Sequence, residues 1–235
     1  QNGEITDAAA VRHIVKVLRM RPGAEFLAYD GESEFRLRLL SVRKESLAVE
    51  TIEETSLDPG GDITVAQCII KGRGWDVFLE KMCEVGAARI LPVVSARTVV
   101  RPDESEEYPQ LDRWRKAARA AAAQCAGRAP DIRPPMTFRQ ALDLLAPVKY
   151  KYVLCFSAEA PLAGVLPADD AGGIALLLGP EGDLSPEETL AAERAGFRPA
   201  HLGPRILRSE TAAISAAVMA LNAAGALKNG PAHGR

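Results

Sequence analysis

Aromatic residues make up 5% of the 235 residues, and the four cysteines, Cys68, Cys83, Cys125 and Cys155, stand too far apart for a zinc knuckle or a CxxC redox pair. Four small apolar side chains in a reducing compartment fit this spacing better than structural disulfides do. No stretch approaches the roughly 20 apolar residues needed to cross a bilayer, since the richest runs, 174–178 and 120–123, are short. A targeting signal is also missing: Glu4 and Asp7 stand where its basic region would be, which predicts a cytoplasmic protein with no membrane partner. Neither GxxxxGK[ST] nor GxGxxG occurs, and no cluster of ligands suggests a metal. Charge of one sign is lacking too. With 29 Lys and Arg against 31 Asp and Glu, the formal net charge is -2, so no overall positive field steers the chain toward phosphate. What is present is ordinary globular composition, 47% hydrophobic and 26% charged, enough for one large domain or two compact ones.

Residues 1–61 read as short strands at 25–29, 35–42 and 46–52, separated by turn signals such as Asp30-Gly31. They form a small β-rich domain with 8 basic and 11 acidic residues, in which Arg12, Lys16, Arg19 and Arg21 nonetheless cluster around His13 and Leu18. The turn-forming composition of 56–62, with Pro59, Gly60 and Gly61, places a boundary there. From residue 62 to 235 strands alternate with helices, the pattern of a mostly parallel sheet covered by helices. Strands are expected at 63–70, 89–94, 151–156 and 174–178. Helices are expected at 75–85, stopped by Gly86, at 111–126, and from the cap Thr137 through 145. The tail from Lys228 is expected to fray. Residues 62–150 carry 14 basic against 11 acidic residues and 151–235 carry 7 against 9, so the near-neutral total hides a basic middle third. Lys71, Arg73, Arg97, Arg101, Arg128 and Arg133 lie near strand ends or in loops, where α/β proteins bind ligands. Ordinary solvated charge accounts for any one of them; as a group they suit a polyanion.

Two segments carry the chemistry. In Leu176-Leu177-Leu178-Gly179-Pro180-Glu181-Gly182-Asp183-Leu184-Ser185-Pro186-Glu187-Glu188, an apolar strand enters a loop with two glycines. Ser185 then caps a helix with Pro186 at its first position and Glu188 completing a capping box. Gly179 and Gly182 permit close approach of a ligand to bare backbone, while Glu181 and Asp183 would repel a phosphate. A ligand with ribose hydroxyls, an adenine edge and a positive centre suits this loop. The second segment, His201-Leu202-Gly203-Pro204-Arg205-Ile206-Leu207-Arg208-Ser209-Glu210-Thr211, opens an Ala-rich helix that Ser209 can cap, with Glu210 and Thr211 at its positive end. Alone it also reads as a capped helix preceded by two exposed arginines. Two Gly-Pro loops, each leading from a strand into a capped helix, together point to a composite binding crevice.

This pair, LLLGPEGDLSPEE and LGPRILRSETAA, closely resembles two signature motifs of the SPOUT RNA methyltransferases, in particular the RsmE family of bacterial 16S ribosomal RNA (uracil-N3)-methyltransferases. The resemblance spans nearly the whole chain, from His13-Ile14-Val15-Lys16-Val17-Leu18-Arg19 through Lys71-Gly72, Glu84-Val85-Gly86 and Arg97 to Gln124-Cys125 and Arg128. It implies an α/β fold: a PUA-like β-barrel over 1–61 that binds RNA, then a SPOUT domain over 62–235 with a deep trefoil knot. It further implies S-adenosylmethionine as cofactor, a homodimer, and 16S ribosomal RNA or the small subunit as partner.

Carried over by position, Leu178, Gly179, Glu181 and Gly182 belong to the first cofactor loop. Leu202, Gly203, Ile206, Leu207, Arg208 and Thr211 belong to the second. Asp183 departs from the pattern, where Gly is more usual. RNA contact is expected from Arg12, Arg19, Lys71, Arg73, Arg97 and Arg128. Methylation of N3 requires loss of its proton, so Glu210 is the candidate base and Arg208 the candidate stabiliser of the uracil anion. Ribose or transfer-RNA methylation, or a non-catalytic RNA-binding protein, are the competing readings.

Overall fold

A computed structural model describes residues 2–57, 60–99, 109–125, 127–168 and 173–227. Pro59 of the expected linker, Arg101, Ala126 and the tail from Lys228 lie outside the described residues. The chain divides into two compact units, Gln1–Asp58 and Pro59–Arg235.

The first unit holds β1 (Asn2–Ile5), helix α1 (Ala8–Arg12) continuing into a π-helical turn (His13–Val17), β2 (Glu25–Tyr29), β3 (Ser33–Val42) and β4 (Leu47–Ser56). Its strands pair antiparallel in the order β1-β4-β3-β2. β1 and β2 are the edges, and no ladder among the described residues joins them into a closed barrel. The β2–β3 turn follows from Asp30-Gly31. Asp30 Oδ1 accepts the N–H groups of Glu32 and Ser33 at 2.8 Å each, which holds its carboxyl below the usual range, while Gly31 takes a φ of +104°. Alternate positions Leu37, Leu39, Leu47 and Val49 bury one face of the sheet around Ile14. Arg12, Lys16 and Arg19 stay exposed around that buried isoleucine.

The second unit runs β5 (Gly61–Cys68), α2 (Arg73–Val85), β6 (Ala87–Val94), α3 (Pro109–Cys125), β7 (Asp131–Ile132), β8 (Met136–Thr137), α4 (Phe138–Leu144), β9 (Tyr150–Leu154), α5 (Leu162–Val165), β10 (Ile174–Leu178), α6 (Pro186–Arg194), β11 (Arg198–Ala200) and α7 (Ser209–Ala223). Seven strands make one sheet, ordered β11-β9-β10-β5-β6-β7 with β8 also on β6, and every pairing is parallel. Such strands are buried on both faces, so they read as continuous apolar runs. In β10, Ile174, Leu176 and Leu178 enter the core under α2, α3 and α7, while Ala175 and Leu177 enter the core under α4 and α6. Trp75, Phe78, Leu79 and Met82, at helical spacing on α2, are all buried. Each such side chain contributes roughly 1.5–3 kcal/mol by leaving water. Gly86 ends α2 in the left-handed region, φ +85°. The alanines of α7, Ala213, Ala216, Ala217 and Ala220, let that helix lie close on the sheet. Among the described residues no helix is long and apolar enough to cross a membrane.

The topology sets the location of a site. The chain builds β5, then β6, β7 and β8 to one side of it, crosses over to lay down β9, fills the place between β9 and β5 with β10, and adds β11 outside β9. Where the winding reverses, the carboxyl ends of β5, β9 and β10 open a crevice, the usual ligand position of an open α/β sheet.

Burial also sets thiol chemistry. It pushes Cys68 and Cys83 up to about 12 and raises Cys155, so these thiols stay protonated; Cys125 is exposed. A maleimide at about pH 7.5 should label Cys125 first and the other three only on unfolding, as read by mass spectrometry after a labelling pulse. Labelling of Cys68 as fast as Cys125 would contradict this packing.

Candidate active site

The first wall of the crevice is the loop leaving β10. It turns back sharply at Gly179, where an added Cβ would stand 2.8 Å from Leu184 N and 2.9 Å from the Asp183 carbonyl carbon. No residue with a side chain fits without moving the loop. Asp183 adopts φ +59°, donates its N–H to Pro180 O at 3.0 Å and accepts the Leu184 N–H on Oδ1 at 2.8 Å. Ser185 and Glu188 then close the expected capping box on α6. Neighbouring segments brace the loop. The Lys71 N–H donates to Glu181 Oε1 at 2.9 Å, the Ala96 N–H to Glu188 Oε1 at 2.7 Å, and Arg97 Nη1 to Gly182 O at 2.6 Å and Leu184 O at 3.3 Å.

The second wall runs from β11 into α7. His201 Nδ1 accepts the Gly203 N–H at 2.9 Å, and the His201 carbonyl accepts from Leu162 at 2.8 Å, which ties the segment to α5. Gly203 has φ +107°, and a Cβ there would meet no atom within 4 Å. Ser209 does not cap α7. The cap position is Arg208, whose side chain makes no capping bond, and Ser209 is the first helical residue. Its hydroxyl instead donates to Gly179 O at 2.7 Å, joining the two walls.

Between the walls lies a cavity of about 600 Å³. Of the residues expected at a cofactor, Leu178, Gly179 and Glu181 line it from the first loop, and Leu202, Gly203, Ile206, Leu207 and Arg208 from the second. Gly182 and Thr211 are not among its lining residues. Glu210 and Lys71 line it as well. Glu210 leans on the start of α2, its Oε2 3.6 Å from where a Cβ of Gly74 would stand. Arg73 and Arg128 are exposed elsewhere on this unit, and Arg12 and Arg19 on the first. Arg97, expected at an RNA surface, is exposed and gives one guanidinium nitrogen, Nη1, to the two loop carbonyls. Among the described residues no group of three His, Cys, Asp or Glu is placed to hold a metal ion.

A model of the RNA methyltransferase domain matches residues 58–221, and one of the RNA methyltransferase PUA domain matches 5–52. The chain is 30% identical over 214 residues to ribosomal RNA small subunit methyltransferase E of Synechocystis, covering 87% of this chain and 68% of that protein. It belongs to the ribosomal RNA small subunit methyltransferase E family. The crystal structure of a small subunit methyltransferase E from Neisseria gonorrhoeae bound to S-adenosyl methionine superposes with a TM-score of 0.82, at 31% identity over 92% of this chain and 90% of that one. A Legionella pneumophila methyltransferase in complex with the same cofactor gives 0.80, at 30% identity over 95% and 92%.

Two residues at this methyltransferase E cavity escape motif reading. Phe156, just beyond β9, lines it while 58% exposed, the one exposed aromatic among the described residues. Gln67, wholly buried in β5, donates Nε2 to Gly179 O at 3.0 Å and to Ser209 Oγ at 2.9 Å behind the cavity. A polar side chain in the apolar run Ile63-Thr64-Val65-Ala66-Gln67-Cys68-Ile69 was its available signal. The close turn at Gly179 gives a direct test: Gly179→Ala should destabilise the protein by about 1–3 kcal/mol through overpacking, measured by denaturant titration. Unchanged stability would refute the turn described here.

Proposed function

We propose that this protein methylates N3 of an unpaired uridine in 16S ribosomal RNA, with S-adenosylmethionine held in the cavity between the two loops. The observation that carries the reading is that cavity, into which the two segments beginning at Leu176 and His201 converge at the carboxyl ends of the parallel strands. Its lining suits the cofactor. Leu154, Leu178, Leu202 and Leu207 supply apolar walls, the bare backbone at Gly203 leaves room, and Glu181, Asp183 and Glu210 offer negative charge to a sulfonium and an amino group. When bound, S-adenosylmethionine supplies an electrophilic methyl group.

Transfer to N3 is an in-line displacement, so the chain contributes mainly by positioning. N3 lies on the Watson-Crick edge, and the target base therefore enters unstacked. Phe156 offers it an aromatic face, and base stacking of this kind is worth about 1–3 kcal/mol. Glu210 accepts the N3 proton on a carboxylate oxygen, and Arg208 balances the anion left on the uracil ring. Exposed Arg12, Arg19, Lys71, Arg73 and Arg128 contact RNA phosphates, while Arg97 serves the loop. The working unit in this proposal is a cytoplasmic homodimer with the catalytic chain threaded as a trefoil knot.

The test is transfer of labelled methyl groups to small-subunit RNA, followed by nucleoside mass spectrometry. The expected product is 3-methyluridine; a ribose-methylated nucleoside, or no transfer by a protein that binds RNA, overturns the assignment. Arg208→Ala with Glu210→Ala should lower kcat by about 100-fold or more. Intact turnover in the double variant would remove both from the chemistry. Phe156→Ala should raise KM for RNA while leaving cofactor affinity unchanged, and an unaltered KM would dismiss the stacking role.

A further inference from the structure

Gln67 is 0% exposed, in the middle of the sheet, and it does not line the cavity. Its two Nε2 hydrogens face three acceptors, Cys68 O at 2.9 Å, Gly179 O at 3.0 Å and Ser209 Oγ at 2.9 Å, so one hydrogen is shared between two of them. Two of these acceptors are carbonyl oxygens, which can only accept, so the amide has one permitted orientation. A flipped amide would set Oε1 against both. The permitted orientation leaves Oε1 buried with no donor among the described residues. An unmade hydrogen bond in the core is a standing cost that an apolar side chain of the same shape would not carry. A residue retained for packing alone would be apolar here.

The partners say what the amide does. Gly179 opens the first loop and Ser209 opens α7, 112 and 142 residues away from Gln67 in the chain. Because residue 180 is proline, the Gly179–Pro180 peptide has no N–H, and its carbonyl is its only polar group. That carbonyl receives both Gln67 Nε2 and the Ser209 hydroxyl, so its direction, and with it the plane of the peptide bordering the cavity, is set from behind.

We infer that Gln67 is a positioning residue for the methyl donor: acting through Gly179 and Ser209, it fixes the separation of the two loops before the ligand arrives. The inference rests on the reading that this cavity holds S-adenosylmethionine. Such preorganisation appears in affinity, since a site already ordered loses less freedom on binding.

The test uses the full chain with Gln67→Met, close in shape and free of polar atoms, and Ser209→Ala as an independent break of the same junction. Calorimetry with S-adenosylmethionine should give a dissociation constant raised at least tenfold in each. Gln67→Met removes the orphaned oxygen but also the donor to Cys68 O and Gly179 O, two opposed effects, so the thermal midpoint of the ligand-free variant should stay close to that of the parent. Affinity within twofold of the parent in Gln67→Met overturns the inference. So does a midpoint that falls in step with affinity, which would make Gln67 a residue that holds the fold. If Gln67→Met does not fold, parental affinity in Ser209→Ala overturns it equally. A parent protein that binds no S-adenosylmethionine fails at an earlier point, in the reading of the cavity itself.

Discussion

The Gly179 carbonyl is the point on which the site turns. β10 is the second of the inner strands, paired with β9 on one side and β5 on the other, and it delivers residue 179 to the place where the winding of the sheet reverses. There the chain must stop being strand and become a wall. Three groups remote in sequence, Gln67, Gly179 and Ser209, share hydrogen bonds at 2.7–3.0 Å, so the wall after β10 and the helix after β11 are referred to one atom. Bonds from Lys71 and Arg97 then hold the loop, and one from Ala96 the first turn of α6, against the segments that follow β5 and β6. Core packing positions the strands to within a side chain's width, and the junction converts that into a cavity of defined shape.

Much of this was legible in the amino-acid order because it is local. The capping box at Ser185, the left-handed stop at Gly86 and the Asp30-Gly31 turn each need only a few adjacent residues. The strand 174–178 was bounded on both sides by breakers and matches β10 at both ends. What was illegible depends on pairings made in space. Ser209 reads as a helix cap because nothing adjacent reveals Gly179 O beside it; the hydroxyl takes the shorter bond across the fold. Arg97 reads as a surface cation until Gly182 and Leu184 are placed next to it. β1 and the π-helical turn carry too few residues for periodicity to register, and strands β7 and β8 are two residues each.

Charge follows the same lesson. The basic middle third was counted by residue, yet several of those cations have local work. Arg115 donates to Ile132 O at 3.0 and 3.2 Å, Arg133 pairs with Asp131 at 3.0 Å, and Lys81 bridges Glu80 and Glu84. Exposed pairs of this kind are worth about 0–1 kcal/mol, so phosphate could displace an acid from them at little cost. The backbone-directed arginines are different, because removing Arg97 or Arg115 would take a donor from the part-buried carbonyls of Leu184 and Ile132. Net charge therefore says little about the RNA surface. The distinction that matters is between cations held by carboxylates and cations held by the fold.

Asp183 illustrates how a departure from the family pattern can preserve geometry. The resemblance leads one to expect Gly at the loop tip, and φ +59° is a region that a Cβ disfavours. Asp is among the few side chains that tolerate it, because its carboxylate can bond neighbouring backbone, here the Leu184 N–H at 2.8 Å. The exchange also acts on the unfolded chain: Asp has fewer backbone states to lose than Gly, so the turn is ordered at lower entropic cost. The bond that secures the turn places a second acid beside Glu181 on the cavity wall, where a sulfonium would meet it. In the fold, Asp183 holds a left-handed turn of the kind a glycine adopts freely and adds a carboxylate to the lining of the cavity.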